Sequence, residues 1–210
     1  SVLSGKGSVE VTLSEGALTN AGRIIGAKSL GIRATGKINN PGLLAAGDTM
    51  TLATKDLDNA GTIQATQLSS LQVRRLANTG HINITQGIKG QVGDLENAGL
   101  IRSEEGGIDL EAKSLTNKGK LLSQAGLKTS VQGPVHNSGA IATDGKLALE
   151  AADFQNVGQE SVLSGKESVQ VTLAEGALAN EGRIVGAKSL GIQAAGKATN
   201  SGALATEGKL

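Results

Sequence analysis

Leu95-Glu96-Asn97-Ala98-Gly99-Leu100-Ile101 is answered twenty residues later by Leu115-Thr116-Asn117-Lys118-Gly119-Lys120-Leu121. An apolar residue leads, Asn follows two places on, Gly two further, and an aliphatic residue two beyond that. The Asn-x-Gly core begins at Asn20, Asn40, Asn59, Asn78, Asn97, Asn117, Asn137, Asn156, Asn180 and Asn200. Its spacings are 20, 19, 19, 19, 20, 20, 19, 24 and 20 residues. The matching glycines are Gly22, Gly42, Gly61, Gly80, Gly99, Gly119, Gly139, Gly158, Gly182 and Gly202. Ten of the 12 asparagines carry a glycine two residues on, far more than glycine's frequency gives by chance. A fixed period of this length is the signature of a stacked repeat.

The flanks obey the same period. The residue two before each Asn is apolar, from Leu18 and Ile38 through Phe154 to Ala198. An aliphatic residue follows two after each Gly, with Glu160 in the one long repeat as the exception. A second alternating pair comes later in the repeat, as Leu30/Ile32, Met50/Leu52, Leu71/Val73, Ile108/Leu110, Leu147/Leu149 and Leu190/Ile192. A longer period overlies this one. Residues 1–50 match 161–210 at about two thirds of positions, so a block of eight coils has been duplicated. The 24-residue repeat is expected to carry an extra loop near Gln159 to Gly165, with its counterpart before Asn20.

Alternation of apolar residues means strands with one face buried. Each coil is expected to hold two or three strands of three to five residues, separated by Gly and Asn turns. A coil this short cannot bury enough to fold alone, so its stability must come from neighbours that cover both open faces. The fold expected is all-β: a right-handed parallel β-helix, or β-solenoid, of about ten 19–20-residue coils, with residues 1–210 as a single repeat segment. With coils about 4.8 Å apart, ten of them make a rod of about 50 Å. Stacking places like residues above one another. The aliphatic positions become internal rows, and the asparagines become a ladder of side-chain amides at a turn. The turn glycines are expected to supply a positive φ. The end coils present unpaired edges, so an isolated segment is expected to associate end to end.

Two other repeat architectures compete. Leu68-x-x-Leu71-x-Val73-x-x-Leu76 has the look of a leucine-rich repeat, but the connecting stretches are rich in Gly, Thr, Ser and Lys where that architecture needs helical material. Lys146-Leu147-Ala148-Leu149-Glu150-Ala151-Ala152 suits a helix, yet its counterparts in other repeats alternate.

Composition agrees with thin aliphatic layers. The 210 residues include 31 glycines, two prolines, one Phe (Phe154), and no Trp, Tyr or Cys. Without cysteine there is neither a disulfide scaffold nor thiol chemistry. The net charge of +1 points to no nucleic-acid partner. No apolar run is long enough for a membrane span. The first ten residues lack the basic and apolar regions of a signal peptide, so an exported protein of this kind is expected to contain the chain as an internal fragment.

Candidate chemistry is sparse. Polysaccharide-cleaving β-helices need paired carboxylates, or Arg/Lys with acids, on one exposed strand face. The acids here, Asp94, Glu96, Glu104, Glu105, Asp109 and Asp144, are scattered, and there is no aromatic platform for a sugar ring. No catalytic residue is assigned, and a lyase-like enzyme is disfavoured. His81 and His136 lack partners at metal-ligand spacing, so no metal or cofactor is assigned. Gly31 to Lys37 resembles a phosphate-binding loop, but Ile38 stands where the magnesium-binding hydroxyl is needed. Arg74 and Arg75, with Lys89 and Arg102 on later coils, are the candidates for a weak glycan-binding face.

The L-x-N-x-G-x-I motif, in ten copies over essentially the whole chain, resembles the filamentous haemagglutinin repeat of large Gram-negative exoproteins secreted by the two-partner route. The resemblance implies a β-helical shaft, export through an outer-membrane secretion partner, a secreted or cell-surface location, and roles in adhesion, biofilm or contact-dependent killing. The function it implies is that of a structural shaft in an adhesin that mediates host-cell attachment. The alternatives are the shaft of a contact-dependent growth-inhibition exoprotein or a weak glycan-binding β-helix. The implied partners are the adjacent coils, the secretion partner, and host glycans or receptors engaged by other regions.

Overall fold

The computed structural model describes residues 1–206, and every regular element among them is a β-strand. The chain winds as a parallel β-solenoid of about ten turns. Each coil has three sides, and each side pairs in parallel with the same side of the next coil. The first sheet contains strands such as Leu43–Ala46, Leu100–Ser103 and Lys120–Ser123. The second contains Ser29–Ala34, Gly126–Val131 and Lys146–Ala151. The third contains Lys37–Asn40, Pro134–Asn137 and Asp153–Asn156. In the middle coils Thr62–Asn78 and His81–Asn97 run through all three sides as single extended strands. Lys146–Ala151 is a strand, as its alternation requires, and Gly31 lies inside Ser29–Ala34 and not in a phosphate-binding loop.

The register stacks like on like. In the first sheet Ile82, Ile101, Leu121, Ile141, Leu163 and Ile184 form one internal row. In the third, Leu95, Leu115, Val135, Phe154 and Leu178 form another. These side chains are buried in one continuous aliphatic core. Each is covered by the coils above and below, so burial at any level depends on its neighbours. The core is not wholly apolar. Inward-facing Ser123 and Thr143 hydroxyls lie 3.1 Å apart. Ser103 Oγ and Thr129 Oγ1 are buried without a partner, which costs stability.

Three details differ from the sequence reading. The extra residues of the long coil do not form one loop over Gln159 to Gly165. Ser168 pairs with Lys146, which lies nine residues after Asn137, whereas Ser168 lies twelve after Asn156. Three extra residues therefore sit in the turn at 157–161. The other two lie between Leu173 and Leu178, and Gly165 belongs to strand Val162–Gly165. The core position that the period assigned to Glu160 is filled by Leu163. Finally, Leu68, not Leu71, shares a row with Met50 and Ile88; an irregularity after Leu68 shifts the pairing by one, and Leu71 aligns with Leu52. The last residues of the duplicated block, 207–210, lie outside the described residues.

Candidate functional site

Nine of the ten asparagines end third-sheet strands and Asn20 directly follows strand Leu18–Thr19; parallel register from Asn40 to Asn200 sets each directly over the next. Asn78 Nδ2 donates to Asn97 Oδ1 at 2.8 Å, Asn97 to Asn117 at 2.8 Å, and Asn117 to Asn137 at 2.8 Å. The same bond joins every successive pair from Asn20 to Asn200, always in the same direction. The second amide proton goes to a main-chain carbonyl that opens the first-sheet strand of the next coil, as from Asn97 to Lys120 O at 3.1 Å and from Asn117 to Ala140 O at 3.1 Å. Asn20 through Asn180 are at most 5% exposed. A buried amide is tolerable only when its donors and acceptor are satisfied, and the stack does this by making each amide the partner of the next.

The turn glycines occupy an adjacent column, but positive φ does not explain them. Of the ten, only Gly158 lies in the left-handed region, at φ 85°. The others sit against the coil beneath. A Cβ on Gly99 would overlap Gly80 O, one on Gly119 would overlap Gly99 O, and one on Gly139 would overlap Gly119 O. Those carbonyls point up because they accept the N–H of the next coil, as Leu100 N to Gly80 O at 2.9 Å and Lys120 N to Gly99 O at 2.9 Å. Glycine is needed here for close approach of stacked backbone. In the long coil the role passes to Ser161, which is fully buried and accepts from Arg183 N at 2.9 Å, as Ser1 accepts from Arg23 N at 3.0 Å. The period pointed to Gly158 and missed Ser161. The duplication that pairs Ser1 with Ser161 was the signal that could have found it.

The candidate basic face is crossed by carboxylates. Arg74 Nη2 contacts both oxygens of Asp56, at 2.8 and 3.1 Å. Arg75 bridges Asp58 at 3.3 Å and Glu96 at 3.0 Å, on the coils to either side. The hydrogen bond that Arg75 donates to Glu96, and then the charge of Glu96, raise the Arg75 pKa above the ordinary guanidinium value, so it stays protonated. Lys37 pairs with Asp58, and Arg102 lies 3.9 Å from Glu104. Exposed pairs of this kind contribute under about 1 kcal/mol each. They also leave Arg74 and Arg75 little free positive charge for a ligand.

An open groove of about 480 Å³ crosses the corner between the first and second sheets, lined by Arg102, Glu104, Leu122, Gln124, Asp144 and Lys166 among others. Its carboxylates are half exposed and matched by cations; Lys166 lies 2.8 Å from Asp144. A general acid needs a desolvated environment, and this groove gives neither carboxylate one. His81 and His136 lie on outward positions of different sheets, and no cluster of metal-ligating side chains occurs among the described residues.

Comparison with known families gives one result. A model described as haemagglutinin repeat matches residues 2–74, 68–133, 118–167 and 162–210, which together tile the chain. No curated protein and no solved structure matches it.

Proposed function

The chain belongs to the haemagglutinin-repeat family, and from that premise we propose that it is a length of rigid shaft in a large secreted Gram-negative adhesin, holding a distal region away from the cell for attachment to a host. The observation that carries this reading is the unbroken column of nine amide–amide bonds from Asn20 to Asn200. A bond of this kind at every coil step resists bending and shear, because any tilt between coils must strain the amide bond together with three strand pairings. The proposal includes export through an outer-membrane partner to the cell surface, where a solenoid can assemble coil upon coil as it emerges.

A spacer and a binding module differ in what can replace them. In the longer exoprotein, exchanging these coils for an unrelated β-solenoid of equal length should preserve attachment of the bacterium to host cells. Deleting them without replacement should reduce it. Loss of attachment with the length-matched substitute would overturn the spacer reading and move the adhesive function onto the coils themselves.

A further inference from the structure

Sorting the outward side chains by sheet exposes a segregation of charge. The outward strand positions of the first sheet carry four fixed charges, Arg23, Arg102, Lys120 and Arg183, and no carboxylate among the described residues. All four are exposed. Arg102 alone has a carboxylate within 4 Å, Glu104 at 3.9 Å; Glu181 lies two residues before Arg183, in the adjoining turn, and Arg23, Lys120 and Arg183 make no ion pair among the described residues. The second sheet by contrast mixes Lys89 and Lys128 with Asp109, Glu111 and Glu150, and the third binds its cations in cross-coil pairs. Between the first-sheet cations the outward positions mix partly exposed aliphatic side chains, among them Leu43, Leu100, Leu122, Val162 and Val185, with uncharged polar ones, Thr62, Gln64, Asn83 and Ser164, and with His81. The result is a flat face about 50 Å long and about 13 Å wide, since rungs repeat at about 4.8 Å and strand residues at about 3.3 Å.

We propose that this face is a peripheral docking surface for a lipid bilayer bearing anionic headgroups. Both components of the face are then used: the unpaired cations meet the headgroup charge, and the aliphatic side chains settle at the interface between them. A second copy docked face to face would set like charges opposite one another, which disfavours it. A sulfated polysaccharide would match the cations and leave Leu43, Leu100, Leu122, Val162 and Val185 against water. The site is distinct from the shaft role, which requires only stacking.

The test is co-sedimentation of the 210-residue chain with vesicles of phosphatidylcholine alone or phosphatidylcholine with phosphatidylglycerol. Retention is expected on the anionic vesicles only, weakening as salt shortens the Debye length. Each cation is worth about fivefold in partitioning, so Arg23→Glu with Lys120→Glu and Arg183→Glu should lower retention by on the order of a hundredfold or more. The control Arg33→Glu with Lys89→Glu and Lys128→Glu has the same net charge on the second sheet and should retain far more of the binding. Circular dichroism melts establish that both variants fold. Equal retention on neutral vesicles, no retention on anionic ones, or equal loss in both triple variants would each overturn the proposal. So would binding of soluble heparin that the first-sheet reversals abolish while vesicles are ignored, and that outcome would reassign the face to a glycan.

Discussion

The turn after Asn117 and the turn after Asn156 close the same corner of the solenoid by different means. After Asn117, Lys118-Gly119 turns with both N–H groups donating to Asn97 O, at 2.7 and 3.0 Å. After Asn156, four exposed residues and the buried Ser161 precede strand Val162–Gly165. There Val157 N still reaches Asn137 O at 2.7 Å, but Gly158 N turns away to Glu181 Oε2 at 2.8 Å. Ser161 folds back on Gly158 O and takes over the stacking position. The amide column passes through both places, with Asn137 to Asn156 at 2.8 Å and Asn156 to Asn180 at 2.7 Å. The stack therefore tolerates a lengthened turn provided the buried column and three strand pairings stay in register. The regular turns are constrained by their neighbours, and the long one by its own backbone.

The largest expected effect breaks the column at a regular turn. Asn97→Ala strands three groups: an amide proton of Asn78, Asn117 Oδ1, and the Lys120 carbonyl. At about 1–3 kcal/mol for each orphaned buried group, the loss is on the order of several kcal/mol. Asn117→Ala should cost a similar amount. The double variant strands fewer groups than the two single variants together, because the bond between the two amides is lost only once. Its cost should fall short of the sum, as expected for directly coupled residues. Urea melts followed by far-UV circular dichroism measure this, since Phe154 is the lone aromatic residue. Strict additivity would mean that the amides act as separate turn formers.

Next comes the contrast between the two kinds of glycine. Gly99→Ala pushes a methyl group into Gly80 O and should cost about 3 kcal/mol, by forcing coils apart. Gly158→Ala meets nothing within 4 Å and should cost about 1–2 kcal/mol, for a left-handed φ alone. Asn, which tolerates that φ, should recover most of the loss at position 158 and none at 99. Equal responses to Asn at both positions would erase the distinction between crowding and conformation.

How much was readable beforehand follows the same division. The coil period, the internal rows and the asparagine column were legible because each is a residue type recurring at fixed separation, and parallel stacking preserves separation as alignment. The reason for the glycines was not legible, since one letter serves both for positive φ and for want of space, and only the height of the coil beneath distinguishes them. The split of the insertion was hidden because the distance from Asn156 to Asn180 gives a total and not a location. The acid-free outer face of the first sheet was hidden for a related cause: Arg23, Lys120 and Arg183 are far apart in the chain and share a side only once three sheets are assigned. Arg74 and Arg75 are the opposite case. Adjacent in sequence, they suggested a basic patch, while their neutralising partners Asp56, Asp58 and Glu96 lie 17 to 21 residues away.

The smallest expected effect concerns the acceptor that replaces a carbonyl in the long turn. Glu181→Ala removes the partner of Gly158 N from an exposed site, where water can substitute, so the cost should be under about 1 kcal/mol, or under about 4 °C in the melting midpoint of a chain this size. Global stability barely registers the change, and hydrogen exchange reads it directly. The Gly158 amide should exchange much faster in Glu181→Ala and near the parent rate in Glu181→Gln, which keeps an oxygen in place. The Gly119 amide, whose acceptor is the main-chain oxygen of Asn97, should be unmoved in both. If Gly119 exchange also quickened, the bulged turn would be coupled to the regular turns through the stack, and the two ways of closing the corner would share one cooperative unit.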